Sequence, residues 1–208
     1  MKLNRLERLL ENLEGFSDPS PRLEQYRTPA PLAARLLFHA ALKGDIEGRR
    51  VCDLGCGTGI LAIGASLLGA SEVVAVEIDK SALAIARLNA EKAEVDIRFL
   101  HADCRDPATL GQIGDCDTVV MNPPFGAQQL HADRPFFDAS LAIAPAIYGI
   151  FNAGSRSFIE AYLGGRGEIE EVIGGQLSIR RTFSFHKDEV RDIPVEIMVI
   201  RRRGDGDL

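Results

Sequence analysis

Positive charge is in short supply, with 24 Lys and Arg set against 30 Asp and Glu in 208 residues, a formal net charge of −6. That deficit excludes a self-sufficient nucleic-acid binder, because displacing counterions from phosphates takes clustered cations. A nucleic-acid substrate would need a local basic rim or a partner. Cysteine is scarce too, and Cys52, Cys56, Cys104 and Cys116 form neither the CxxC pairs of a zinc ribbon nor a dense disulfide framework. They read as reduced, mostly buried thiols, and no metal site is expected. No apolar run approaches the ~18 residues of a membrane span, and MKLNRLERLL lacks the apolar core and cleavage signal of a secretory leader. The expectation is a soluble, cytoplasmic protein that does not engage membranes. Repeats, low-complexity tracts and interior linkers are also missing. With 46% apolar residues, the chain can bury one substantial core, so residues 1–208 are read as one domain. Within it, residues 1–45 form an N-terminal extension, 46–202 the core and 203–208 a frayed tail.

What is present has a clear order. Leu3, Leu6, Leu9 or Leu10, and Leu13 recur at helical spacing and stop at Gly15. The stretch GFSDPSPRLEQYRTPAP then carries four prolines and predicts irregular chain, followed by a helix from about Ala30 to Lys43. From Arg50 the pattern alternates: VCDL strand, GILAIGASLLGA helix, VVAVEI strand, SALAIARLNAEKA helix, then the strands DIRFL and DTVVM. A helix from Pro135 to Ala144, the strand AIYGIF and a helix near Ser157–Leu163 continue it. This alternation predicts an α/β fold, a doubly wound, Rossmann-like parallel sheet wrapped by helices. Two long final strands, Glu168–Phe185 and Ile193–Ile200, place Leu177, Ile179, Phe183 and Phe185 on one side. Joined by the polar HKDEVRD, they predict an antiparallel hairpin that brings the sheet to seven strands.

Behind the first strand, DLGCGTGIL places Gly55, Gly57 and Gly59 at alternate positions before a helix, where backbone can approach a ligand closely. The dinucleotide fingerprint is G-x-G-x-x-G, whereas this loop is G-x-G-x-G, and Asp53 two residues earlier would repel a pyrophosphate. A phosphate-free amino acid joined to a nucleoside suits it better. S-adenosyl-L-methionine is such a ligand, with Asp53 organising its ammonium. Glu77, 22 residues after Gly55 at the end of the second strand, matches the offset at which an acid binds ribose hydroxyls, with Asp79 as a competitor. Asp103, after the third strand, is placed for the adenine amino group. Acids at three successive strand ends are more than a tight turn requires, since ligands of open sheets bind there.

The fourth strand runs into Asn122, Pro123, Pro124 and Phe125. Consecutive prolines remove two donors and hold the preceding residues extended, which fixes the directions of neighbouring carbonyls. The Asn122 side-chain carbonyl and the Pro123 backbone carbonyl can hold both hydrogens of a planar amino group while a methyl arrives in line. Phe125 offers a flat face for stacking.

These motifs resemble class I S-adenosylmethionine-dependent methyltransferases with an (Asn/Asp/Ser)-Pro-Pro-(Tyr/Phe/Trp) segment. Within them the chain is most similar to the methyltransferase-like 5 family of ribosomal-RNA adenine-N6 methyltransferases. LEQYRTP, DLGCGTGIL, MNPPFG and the late FHK followed by an apolar strand carry the resemblance. It implies that Gln25 and Thr28 cover the cofactor, joined by Gly55, Thr58, Ile60, Glu77, Asp103 and Cys104, with Asn122 to Phe125 catalytic. Thr58 stands where some relatives have cysteine, and Glu77 replaces an aspartate. The resemblance also implies a small zinc-containing activator subunit, which the third strand, about Val95 to Leu100, would receive at a sheet edge. His186 and Lys187, with Arg180, Arg181 and Arg191, are candidate contacts to RNA phosphates.

The expected activity is methylation of adenine N6 in structured RNA, with small-subunit ribosomal RNA first and the base swung out of its stack. Three alternatives stay open. A glutamine side chain in a translation factor presents the same two hydrogens, but its modifiers usually carry an extra N-terminal substrate domain. A DNA adenine methyltransferase would want a target-recognition region. A scaffold would bind cofactor without turnover.

Overall fold

The computed structural model describes residues 1–126, 131–180 and 190–204. Short apolar runs become strands covered on both faces: β1 (Arg50–Leu54), β2 (Glu72–Glu77), β3 (Arg98–His101), β4 (Thr118–Met121) and β5 (Ala146–Asn152), all parallel. β6 (Gly167–Arg180) and β7 (Val190–Arg202) pair antiparallel, and β7 also runs antiparallel to β5. The resulting seven-stranded sheet has the order β3-β2-β1-β4-β5-β7-β6, with β3 at one edge. The order turns back between β1 and β4, which opens a crevice outside the carboxyl ends of those strands.

Helices α1 (Leu3–Glu11), α2 (Ala30–Leu42), α3 (Ile60–Leu67) and α4 (Lys80–Lys92) fill one face, packing on Val51, Val73, Ala75 and Val120. Helices α5 (Pro107–Ile113), α6 (Arg134–Ile143) and α7 (Arg156–Leu163) fill the other, over Cys52, Leu54, Val74, Val119 and Met121. Alternate residues of each strand feed opposite cores, as the pleat requires. In α1 the inward stripe is Leu6 and Leu10, both fully buried, and Leu9 stays outside. The four cysteines are free and buried.

Four boundaries differ from expectation. α5 was not foreseen: it is short, and its signal is local, Asp106 capping the Ala108 N–H with Pro107 in the first turn. β3 begins at Arg98 instead of Val95. The predicted helix from Pro135 to Ala144 starts at Arg134 and ends at Ile143. β7 begins at Val190, so Val190, Arg191 and Asp192 of the predicted turn are strand, paired with Arg180, Ile179 and Ser178. Arg181, Phe183, Phe185, His186 and Lys187 lie outside the described residues.

One buried side chain joins the N-terminal extension to the glycine loop. Asn89 of α4 accepts from the Glu14 N–H at 2.8 Å and donates to the carbonyls of Glu14 and Thr58, each at 2.9 Å. Alanine there leaves one donor and two acceptors without their partner inside the protein. Asn89→Ala is expected to cost about 2–4 kcal/mol, read as a lower urea midpoint at unchanged slope, and to weaken cofactor binding through the loosened loop.

Candidate active site

The β1 carboxyl end delivers its chain into a loop of left-handed glycines, Gly55 at φ +72° and Gly57 at φ +54°. A Cβ on Gly55 would meet Phe136 of α6 at 2.9 Å, and one on Gly57 would meet Phe16 at 2.8 Å. The glycines thus admit two aromatic rings of the protein as well as the ligand approach anticipated from sequence. Phe16, Phe136 and Glu24 were missed there; an isolated aromatic in a proline-rich stretch carries no periodicity to flag it.

Two carboxylates shape the loop. Asp53, 1% exposed, accepts the Ala62 N–H at 2.8 Å through Oδ2. It thereby supplies the cap that Gly59, with no side chain, cannot give to α3. Its Oδ1 is buried and has no partner. Burial, opposed by the Ala62 N–H and reinforced by Glu77, pushes the Asp53 carboxyl up to about 8. Glu77 accepts the N–H groups of Gly57 and Asp79, each at 2.8 Å, and burial raises it as well, against those two bonds. Asp79 is not the competitor that the sequence suggested: it caps α4 through Ser81 and holds Gln25 Nε2 at 2.7 Å.

Opposite the loop, Asn122 ends the β4 segment. Its Nδ2 donates to Thr28 Oγ1 at 2.9 Å, and its Oδ1 is buried without a partner. Three residues on, the Phe125 N–H donates to Glu24 Oε2 at 2.7 Å. Glu24 reaches it from a left-handed conformation, φ +51°. Gln25 Oε1 accepts the Ser20 N–H at 2.7 Å. The proline-rich stretch is therefore a strap, held to Asp79 at one side of the crevice and to the Asn-Pro-Pro-Phe segment at the other. Thr28 and Gln25 were expected to cover a ligand; the structure also gives them these protein partners.

Loop, strap and strand ends enclose a cavity of about 270 Å³. Gln25, Thr28, Asp53, Gly55, Thr58, Ile60, Glu77, Asp103, Cys104, Asn122, Pro123, Pro124 and Phe125 all line it. Asp103 arrives paired to Arg105 through Nε and Nη2, which lowers its carboxyl below the usual range. Burial and the Asp103 charge push the Cys104 thiol up to about 12, so it is a neutral wall and no nucleophile.

The raised Asp53 carboxyl ties stability to pH. Its folded value of about 8 lies above its ordinary 3.8, so its contribution is complete below about pH 4 and is lost as pH rises through about 8. The ligand-free protein should therefore lose on the order of 5 kcal/mol from this group across that window. Urea unfolding from pH 5 to pH 8.5 checks this, with Asp53→Asn expected to flatten the difference.

The methyltransferase small domain family model matches residues 32–143. The rRNA N(6)-adenosine-methyltransferase Mettl5 of Drosophila melanogaster is 36% identical over 207 residues, covering 94% of each chain. The MJ0284 protein of Methanocaldococcus jannaschii is 39% identical over 98% of this chain and 96% of its own. The crystal structure of PH1948 from Pyrococcus horikoshii superposes with a TM-score of 0.89 at 36% identity, covering 97% of this chain and 98% of that one.

Proposed function

The chain belongs to the small-domain methyltransferase family, with the Mettl5 rRNA adenosine methyltransferases among its full-length relatives, and from that premise we propose that it methylates adenine N6 in small-subunit ribosomal RNA. The enzyme depends on S-adenosylmethionine, which, held by Asp53, Glu77 and Asp103, would supply a sulfonium methyl group to the acceptor nitrogen, the displaced proton passing to solvent water.

The cavity fits that cofactor. A buried Asp53 oxygen without a partner, beside a second buried acid, calls for a cationic donor such as an ammonium. Glu77 retains acceptor capacity beyond its two backbone bonds for ribose hydroxyls, and Asp103 offers an acceptor for the adenine amino group. Gly55, Thr58, Ile60 and Cys104 wall the site, with Gln25 and Thr28 above.

The observation that carries the reading is the state of Asn122. One N–H of its amide is committed to Thr28 and its oxygen is buried and unpaired, so that oxygen is available as an acceptor. Together with the Pro123 carbonyl it can hold both hydrogens of an amino group, leaving the nitrogen lone pair free above the base plane while Phe125 supports the ring. Thr28 is read as a positioning residue: its hydroxyl anchors the Asn122 amide through Nδ2. His186 and Lys187 remain proposed contacts to RNA phosphates.

The decisive experiment incubates the protein, labelled cofactor and either ribosomal RNA from cells lacking the gene or a translation factor, then digests the RNA to nucleosides. N6-methyladenosine at one small-subunit position is expected; label on glutamine alone overturns the reading. Asn122→Ala should lower kcat by about 10²- to 10³-fold at unchanged cofactor affinity. Thr28→Val should lower kcat by roughly tenfold with the same affinity, as expected when one buried hydrogen bond is lost, and Thr28→Ser should restore it.

The edge strand β3 is proposed to receive the zinc-containing activator. Among the described residues its outer side pairs with no other strand, and cover comes from Arg87, whose guanidinium lies 5.1 Å above the Phe99 ring and donates to the Phe99 carbonyl. Phe99→Asp is expected to abolish co-purification of a small zinc protein while cofactor affinity is retained.

A further inference from the structure

A row of flat groups flanks the cavity mouth and takes no part in the reaction above. Helix α7 is anchored by Ile159 and Leu163, both fully buried. On the next stripe round the helix, Phe158 and Tyr162 stack with centroids 6.2 Å apart and planes 19° apart. Phe158 is 36% exposed. His131 stacks on it at 5.9 Å and 12°, and His131 also lines the cavity. The guanidinium of Arg134 lies over both rings, 5.6 Å from Phe158 and 5.2 Å from Tyr162, and that of Arg166 lies 5.3 Å over Tyr162.

Two further observations mark this arrangement. His131 sits in the left-handed region at φ +64°, a conformation that a residue with a Cβ rarely keeps without cause. Arg134 Nε is buried and makes no hydrogen bond. The neighbouring carboxylate, Asp138, is committed to Arg166 Nη1 and to the Tyr162 hydroxyl, each at 2.7 Å. Among the described residues, then, Arg134 brings a positive charge with no ion-pair partner to a stack of aromatic planes that starts at the cavity mouth.

We propose that this row is the stacking platform for the single-stranded nucleotides beside the target adenine, which deepens the RNA reading and rests on it. Nucleobases stack on aromatic rings and on guanidinium planes alike, without regard to sequence, and the guanidinium of Arg134, which has only the nearby charge of Asp133 and no ion pair among the described residues, suits a phosphate. Continuity through His131 places the neighbouring bases on the platform when the target base is extruded into the cavity. For a chain with a net charge of −6, stacking supplies affinity that does not depend on neutralising many phosphates.

The test compares Phe158→Ala, Phe158→Leu and Phe158→Trp, each confirmed as folded by its melting temperature and its cofactor affinity. Methyl transfer to ribosomal RNA from cells lacking the gene gives kcat and KM, and anisotropy of a fluorescein-labelled oligoadenylate gives binding. Ala and Leu are expected to raise both KM and the oligoadenylate Kd about tenfold, with kcat and cofactor affinity little changed, and Trp to restore both. Unchanged KM, unchanged oligoadenylate affinity, or Leu performing as well as Phe overturns the platform and leaves the enzyme reading standing. A wild-type protein that labels no RNA sinks the enzyme reading and the platform together.

Discussion

Two carboxylates buried at the ends of β1 and β2 set the terms for the rest of this molecule. Asp53 holds the first turn of α3 and Glu77 holds the Gly57 N–H, so the backbone of the glycine loop is fixed by carboxyl groups taken out of water. Burying them costs free energy that their N–H partners only partly return, and both carboxyls are raised as a result. The cost is concentrated where a ligand bearing a cation and hydroxyl donors would remove it. A site built this way is poorly satisfied when empty, with Asp53 Oδ1 buried and without a partner.

The strap of residues 20–28 depends on that frame. It touches the acidic side through Gln25 and Asp79 and the acceptor side through Thr28 on Asn122 and Glu24 on the Phe125 N–H. Glycine loop and Asn-Pro-Pro-Phe corner are thus spanned by one short segment, stiffened by Pro21 and flanked by Pro19 and Pro29, which limit its unfolded freedom. Asn89 secures the segment before it by bonding Glu14 and Thr58 together. Each contact is a single hydrogen bond of modest worth, yet they share one chain, so losing one loosens the others. This coupling ties Thr28 to Asn122 and, through the strap, to Asp79.

The parallel sheet and its helices were legible because period and turn residues repeat over many positions, and the acids at strand ends followed from topology. Asn122 to Phe125 were legible because two consecutive prolines constrain backbone whatever surrounds them. Phe16, Phe136 and Glu24 were not, because their roles exist only once distant segments meet: a Cβ clash at Gly55 or Gly57 and a bond to the Phe125 N–H are tertiary facts. Helix α5 escaped because seven residues give too little periodicity, although Asp106-Pro107 carried a cap signal. Asp79 was misjudged because an acid near a strand end looks alike whether it faces a ligand or caps the next helix.

An acidic enzyme acting on a polyanion has to separate the work of holding the cofactor from that of holding the RNA. Here the negative potential is put to use inside the cavity, where it is matched by N–H groups, while the outer flank carries Arg134 and Arg166 over exposed rings. Field lines from the buried acids would repel phosphates that came too close, so the substrate backbone is best kept at the rim with only a neutral base passing inward. In the proposed reaction Asn122 and the prolines suit that division: uncharged hydrogen-bond acceptors would recognise an amino group by its two hydrogens without drawing the phosphate backbone or adding charge to the cavity.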